Sequence, residues 1–559
     1  MFVRYLSPRR ALLLVSFVFS FTAVAVADDR PNILVIMSDD MGFSDPGFQG
    51  SEIDTPHLDR LAKNGLVFTN FYNCARCGPT RASLSTGLYS HQVGCYELEP
   101  VEPGNNVYIS ELLRDHGYRT YMSGKWHLGN TTNKLPPARG FDHSYAYEGC
   151  CGSFWDPEIY ILESPEIPAV PYGSDEFHAT DATTDYAVKF LQHHEAQDDD
   201  APFFLYLAYQ APHFPLHARK DLIDKYVPRY EKGWDKVREE RWARMQELGL
   251  FPNSPAPSPL SDSPPWHDEF ADAEKIQRWD DLSPTLQADQ ARRMATFAAM
   301  MDQMDQGIGK VLAQLEATGQ LDNTLIMFLS DNGANYEGGP LGGDGPFAGA
   351  ELDTMGQPDT DNRTGASWAA VSNTPFRLYK HFNHEGGINT PMVVHWPAGL
   401  ERAGERETQR SHVIDIMATV VDVTGATYPT HRLGWDILPM EGTTLMPALR
   451  GGQLAERIIG FEHEANRAIF KDQYKLVSKN FTSTDGRTHH DWELYDIDED
   501  PLELNNIASD HYYEIVIPMA REWHHWAVRT DAIVGYERWM LKLQHYWKTG
   551  SRTYLNDEF

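Results

Sequence analysis

Three things are scarce in this sequence. There are only five cysteines in 559 residues: Cys74, Cys77, Cys95, Cys150 and Cys151. An odd number cannot all pair, so in an exported chain one stays unpaired or has a chemical task of its own. After residue 26 no apolar run is long enough to cross a bilayer, which leaves no stable membrane span once the N-terminal leader is removed. Positive charge is short as well: 48 lysines and arginines face 80 acidic residues, a formal net charge of −32. So acidic a chain argues against nucleic acid or anionic lipid as its general partner. An anionic substrate would have to meet a local cluster of cations set against the global field. Nor does the chain contain an internal repeat.

What is present begins with that leader. Arg4, Arg9 and Arg10 precede an apolar run from Ala11 to Val26, and Ala25-Val26-Ala27 is a small-x-small cleavage site before Asp28. This is the layout of a secretory signal peptide over residues 1–27, and it implies export to the periplasm or outside the cell. An uncleaved membrane anchor is the weaker alternative. The whole sequence is 41% hydrophobic and 12% aromatic, ample for a large buried core.

Several short apolar runs share one pattern. "NILVIMSDD" ends in Asp39 and Asp40, "NTLIMFLSDNG" in Asp331 and Asn332, "PFFLYLAYQAPH" in His213, and "GYRTYMSGKWHLG" in Lys125 and His127. Continuous apolar runs separated by helical segments predict a large, mainly parallel or mixed sheet covered by helices on both faces. Ligands of such sheets bind beyond the carboxyl ends of the strands, where all four polar clusters fall. Two stretches read as loops. One is the Pro/Ser-rich "FPNSPAPSPLSDSPPWHDEF" from Phe251. The other is the Gly-rich segment from Ala334 to Ser372, expected at the rim of a substrate site. After about Gly442 the pattern changes to antiparallel strands and a Trp-rich helix, so residues 28–445 are expected as a catalytic domain and 446–559 as a smaller α+β subdomain.

The stretch "NCARCGPTRASLSTG" places Cys77 just ahead of a helix whose first turn contains Pro79, where a missing N–H costs nothing. The positive end of that helix, with Arg81 one turn on, suits an anion. "CGPTRASLSTG" resembles the signature of the type I sulfatases of the alkaline phosphatase superfamily, whose cysteine in C-x-P-x-R is oxidised to formylglycine. Cys77, not Cys74, stands at that position. The resemblance continues in order through "PNILVIMSDDMGFSD", "GYRTYMSGKWHLG", "APHFPL", "FLSDNGAN", the arylsulfatase-like "NTPFRLYKHFNHEGGINTPMVVHWPAG" and "ELYDIDEDPLELNNIA".

The resemblance implies an alkaline phosphatase-like α/β fold and hydrolysis of a sulfate ester carried by a small molecule or a glycan. It also implies a maturation enzyme that generates the formylglycine. Asp39, Asp40, Asp331 and Asn332 would hold one divalent cation, and an oxygen-only set of this kind suits Ca²⁺. One hydroxyl of the hydrated formylglycine would attack sulfur, with His213 or Lys380 as proton donor to the leaving alcohol. His127 would then serve as the base that expels sulfate. Arg81, Lys125 and Lys380 would supply the local positive charge.

Blander readings stand beside these. Asp39-Asp40 taken alone could cap a helix, and His213 or Lys125 alone could be loop or surface residues. Cys77 could be a structural thiol, and His463 could either approach the site from the second domain or serve only structure. Cys74 and Cys95 are the better candidates for a disulfide, while the adjacent Cys150 and Cys151 are not expected to bond to each other. The rival functions are a phosphate or phosphonate ester hydrolase of the same superfamily and a non-catalytic binder of sulfated glycans. The first commonly uses Ser or Thr with two zinc ions. The second should have lost some of the ten residues named, and all are present.

Overall fold

The computed structural model describes residues 30–173, 176–197, 199–261, 264, 274–480 and 492–549. The leader and much of the Pro/Ser-rich stretch after Phe251 lie outside the described residues.

The run Asn32–Ser38 is the centre of a nine-stranded sheet. From one edge the strands are Glu405–Glu407, Leu66–Phe68, Met392–His395, Thr324–Ser330, Asn32–Ser38, Phe203–Ala208, Arg119–Lys125, His143–Tyr147 and Tyr160–Glu163. The five from Thr324 to Tyr147 in this order run parallel, while Met392–His395 and Tyr160–Glu163 run antiparallel to their neighbours. The fold class expected from the sequence is therefore what forms. Register follows the burial of both faces: Val35 lies opposite Met327 on one side and Tyr206 on the other. Leu34 and Ile36 point into one core layer, whereas Ile33, Val35 and Met37 point into the other. A strand buried on both sides needs no polar alternation, which is why these runs are continuous in sequence.

Helices cover both faces. Ala179–Glu195 and the 34-residue Pro284–Ala317 contribute to the first layer. Cys77–Thr86, Ile109–Asp115 and Asp415–Thr424 contribute to the second. A separate four-stranded antiparallel sheet, in the order Ile459–His463, Asn466–Lys471, Tyr474–Ser478 and Glu493–Asp496, follows the change of pattern near Gly442. Trp523 and Trp526 of the helix Ile517–Arg529 pack against it, and Tyr72, Ala75 and Ile388 share an apolar cluster with its Ile459 and Phe461.

Two expectations are corrected. The segment Ala334–Ser372 is not loop throughout, because Gly365–Ser372 is a helix with all eight residues buried. A helix buried on every side has no amphipathic period to read. The cysteines also pair differently: Cys150 is bonded to its neighbour Cys151, and Cys74, Cys77 and Cys95 are free thiols. Cys74 Sγ is instead 3.3 Å from Ser83 Oγ, and Cys95 is buried against the first turn of the Cys77 helix, beside Gly78.

Candidate active site

The four polar clusters emerge side by side because their strands are adjacent and parallel. Asp39 and Asp40 follow Ser38, Asp331 and Asn332 follow Ser330, Lys125 ends its strand, and His213 lies five residues beyond Ala208. The Cys77 helix sits over the same end, ten residues long and wholly buried. Close packing holds Lys125 in place. A Cβ at Gly124, where φ is +112°, would stand 1.9 Å from the Ala208 carbonyl oxygen of the next strand.

The side chains interlock. Lys125 Nζ donates to Asp39 Oδ2 at 2.5 Å. Arg81 Nη2 donates to Asp331 Oδ2 at 2.7 Å and lies 3.4 Å from Asp39 Oδ2, while its Nη1 reaches the Lys125 carbonyl and the Tyr206 hydroxyl. Lys380 Nζ donates to Asp40 Oδ1 at 2.7 Å and stands 3.4 Å from His213 Nε2. The Asn332 amide nitrogen donates to the same Asp40 oxygen at 2.6 Å. His213 Nδ1 is 2.5 Å from the Phe214 carbonyl, which can only accept. Nδ1 therefore carries the proton, and Nε2 is left bare towards Lys380.

Two oxygens are left over. Asp39 Oδ1 and Asn332 Oδ1 are buried without a hydrogen-bond partner. Unpaired buried oxygens of this kind are costly. Together with the carboxylates of Asp40 and Asp331 they form an oxygen-only donor set that fits a hard divalent cation. Charge agrees. Five buried carboxyls, of Asp39, Asp40, Asp331, Glu337 and Glu464, face four cations, Arg81, Lys125, Lys380 and Arg76. Adding a divalent ion to this set leaves an excess of positive charge for a sulfate group.

Protonation follows from burial and neighbours. Burial pushes the Asp39 carboxyl up, but Lys125 and Arg81 outweigh it and hold the group well below the usual carboxylate range. Burial and the charge of Asp39 push Asp331 well above that range despite Arg81. Burial lowers His213 to about 4 and depresses His127 still more firmly, aided by Lys125. Both imidazoles are thus neutral near pH 7. Lys380 is raised, since Asp40 and Glu337 overcome its burial, and it stays charged. Cys77 is 1% exposed, and a charge on its sulfur would raise Arg76, Arg81 and Lys380 together.

The sequence reading missed an outer ring. Arg76 Nη1 lies 2.8 Å from His381 Nε2 and 3.1 Å from Glu464 Oε1, and His381 Nδ1 is 3.0 Å from Glu464 Oε2. Asn335 bridges Asp40 and Glu337, with both contacts at 2.9 Å. His463 is fully buried, 3.4 Å from Glu464, so the second sheet does reach this cluster. The signals were present but faint: Arg76 is next to Cys77, Asn335 is in "SDNGAN", and Glu464 follows His463.

A nucleophile position ringed by cations, above an oxygen-only donor set at one edge of an α/β sheet, defines a hydrolase of anionic esters. The chain belongs to the sulfatase family, whose model matches residues 31–426. It is a type I sulfatase of the alkaline phosphatase superfamily, an enzyme that hydrolyses sulfate esters. A second model, N-sulphoglucosamine sulphohydrolase C-terminal, matches residues 376–527. An uncharacterised sulfatase of Schizosaccharomyces pombe is 32% identical over 86% of this chain and 91% of its own. An arylsulfatase of Klebsiella aerogenes is also 32% identical, over 77% and 94%. The crystal structure of Ps i-CgsB in complex with k-i-k-neocarrahexaose is similar, with a TM-score of 0.61, 26% identity and coverage of 89% and 93%.

Proposed function

We propose that the enzyme works through a formylglycine made from Cys77 and one Ca²⁺ ion, and that it acts on an aryl or carbohydrate sulfate ester outside the cytoplasm. The observation that carries this reading is the meeting of Cys77, at the head of a buried helix among Arg76, Arg81 and Lys380, with the unpaired oxygens of Asp39 and Asn332. The hydrated aldehyde would supply a hydroxyl to attack sulfur, which a bare thiol cannot. A cation held by Asp39, Asp40, Asp331 and Asn332 would polarise a sulfate oxygen.

The chain's own groups do the rest. Arg81 bridges Asp39 and Asp331, Lys125 pairs with Asp39, and both supply positive charge for the sulfate. Lys380, charged, gives its proton to the leaving oxygen and is left as the neutral amine, while the bare Nε2 of His213, 3.4 Å away, accepts from the same ammonium and aims it. His127 is neutral and its Nδ1 has no partner, as a base requires. Oxygen donors favour one hard cation over the two zinc ions of the rival phosphatase reading. The name of the arylsulfatase relative and the ligand of Ps i-CgsB support aryl and carbohydrate esters as first substrates. The test is sulfate release from 4-nitrophenyl sulfate by protein matured in its native host, before and after removal of metal by a chelator. Activity lost on chelation and restored by Ca²⁺ supports the reading. Phosphate ester turnover at a higher kcat/KM would refute it. The mature N-terminus, expected at Asp28, tests export.

A further inference from the structure

The sequence Gly149-Cys150-Cys151-Gly152 leaves the sheet just after the strand His143–Tyr147 and folds back over the last residue of that strand. The Tyr147 phenol lies against the backbone of this turn. A Cβ at Gly149 would stand 2.5 Å from the phenol oxygen. One at Gly152 would stand 2.3 Å from Ile159 Cδ1 and 2.9 Å from Tyr147 Cζ. Glycine at both ends is therefore what lets the turn close on the ring. The other side of the turn is pinned as well. Gln210 Nε2 donates to the Gly152 carbonyl at 2.6 Å, and Gln210 Oε1 accepts from the Tyr160 hydroxyl at 2.9 Å. Gln210 is itself 3% exposed, and its carbonyl accepts from the His213 N–H at 2.9 Å. The turn and the His213 segment are thus tied through one buried amide.

The two sulfurs end up beside the catalytic histidine. Sγ of Cys150, Sγ of Cys151 and a ring nitrogen of His213 all lie within 4.8 Å of one another. Cys151 is exposed, Cys150 is half-buried and His213 is buried, so the bonded pair spans the distance from solvent to the His213 ring.

We infer that the Cys150–Cys151 bridge is the wall of the substrate pocket against which the leaving group packs, and that it selects esters whose leaving group presents a ring face, aryl or pyranose, over short alkyl sulfates. This rests on the reading of Lys380 and His213 as the couple that meets the leaving oxygen. The physical basis is that sulfur is polarisable and weakly hydrated, and packs well on ring faces. Two bonded sulfurs also have no free rotors to immobilise when the substrate arrives. Two separate thiols at the same positions would turn and hydrate, and would lose that advantage.

The test uses the full mature enzyme with its aldehyde verified, assayed on 4-nitrophenyl sulfate and on the short ester trifluoroethyl sulfate. In the double variant Cys150→Ser/Cys151→Ser, KM for the aryl ester is expected to rise roughly three- to tenfold. Its kcat and both constants for the short ester should stay within about twofold. A dithiol reductant gives a second route: it supplies two electrons and two protons to the bridge, is itself oxidised to a disulfide, and should produce the same selective change in the wild type, reversed on reoxidation. That route also serves if the variant does not fold. Equal losses on both esters, or no change on either, would overturn the wall. A wild type with verified aldehyde that releases sulfate from neither ester would overturn the sulfatase reading instead, and the wall with it.

Discussion

Asp39 and Asp40 are neighbours in the chain, both just past the strand end at Ser38, but have different partners because the backbone turns left-handed at Asp40. Asp39 faces Lys125 and Arg81, and Asp40, at φ +65°, turns towards Lys380, Asn332 and Asn335. The left-handed backbone recurs at His127 and His381, with φ of +57° and +77°. A non-glycine residue there costs on the order of 1 kcal/mol or more, and the surrounding network holds it. Lys125→Ala would leave the Asp39 carboxylate without its nearest cation. It is expected to lower kcat about 10²- to 10³-fold with the fold intact by circular dichroism; a loss below about threefold in steady-state assays would count against the role. His213→Ala should separate leaving groups. Esters of poorly acidic alcohols need the proton, so their kcat should fall about 10²- to 10⁴-fold, whereas 4-nitrophenyl sulfate should lose far less. Equal losses on both in initial-rate assays would show that His213 is not in the donor couple.

Among the elements, the Cys77 helix is held from two directions. Beneath it lies the main sheet, and beside it the hairpin tip that joins Ile459–His463 to Asn466–Lys471 brings in Glu464. Glu464 pairs with Arg76 at the residue just ahead of the helix, and both are at least nine-tenths buried. Glu464→Ala should cost about 3–5 kcal/mol, because it strands a buried guanidinium. The paired replacement Arg76→Met/Glu464→Leu should cost less than the single one. Urea unfolding of the two variants decides it, and a milder single variant would mean the pair is not coupled. This is also where sequence legibility ends. The ten candidate residues stand out in the sequence because each sits at or just beyond a continuous apolar strand, or in the C-x-P-x-R stretch, or, as Lys380, in the arylsulfatase-like stretch. Arg76, Glu337, His381 and Glu464 carried only faint signs, Arg76 beside Cys77 and His381 beside Lys380, since a charge buried by distant packing looks in sequence like a charge on the surface. The helix Gly365–Ser372 and the Cys150–Cys151 bond were hidden for related reasons. One lacks a period because it is buried all round, and the other depends on the glycines and on Tyr147 beneath them.

The whole molecule places an anion site inside a strongly acidic chain, and it does so by burying its cations instead of displaying them. Arg81 and Lys125 are fully buried, and Lys380 is 2% exposed. Burial affects histidines well away from the site too. His194, packed on Tyr121 and Phe203, is lowered to about 4 from an ordinary 6.5. In the unfolded chain it takes up a proton near pH 6.5, and in the folded protein only near pH 4. Its contribution to stability is therefore complete above about 6.5 and is lost as pH falls from there towards 4, by up to about 3 kcal/mol. Urea unfolding at pH 7 and pH 4.5 should show a smaller loss for His194→Phe than for the wild type, and an unchanged difference would reject this origin. The most direct measurement concerns one residue of the native protein, the mass of the tryptic peptide that contains Cys77 after purification from the native host. A deficit matching exchange of the thiol for an aldehyde, with Cys74 unaltered, is the expected result. An intact thiol at Cys77 in protein that still hydrolyses sulfate esters would contradict the formylglycine mechanism outright.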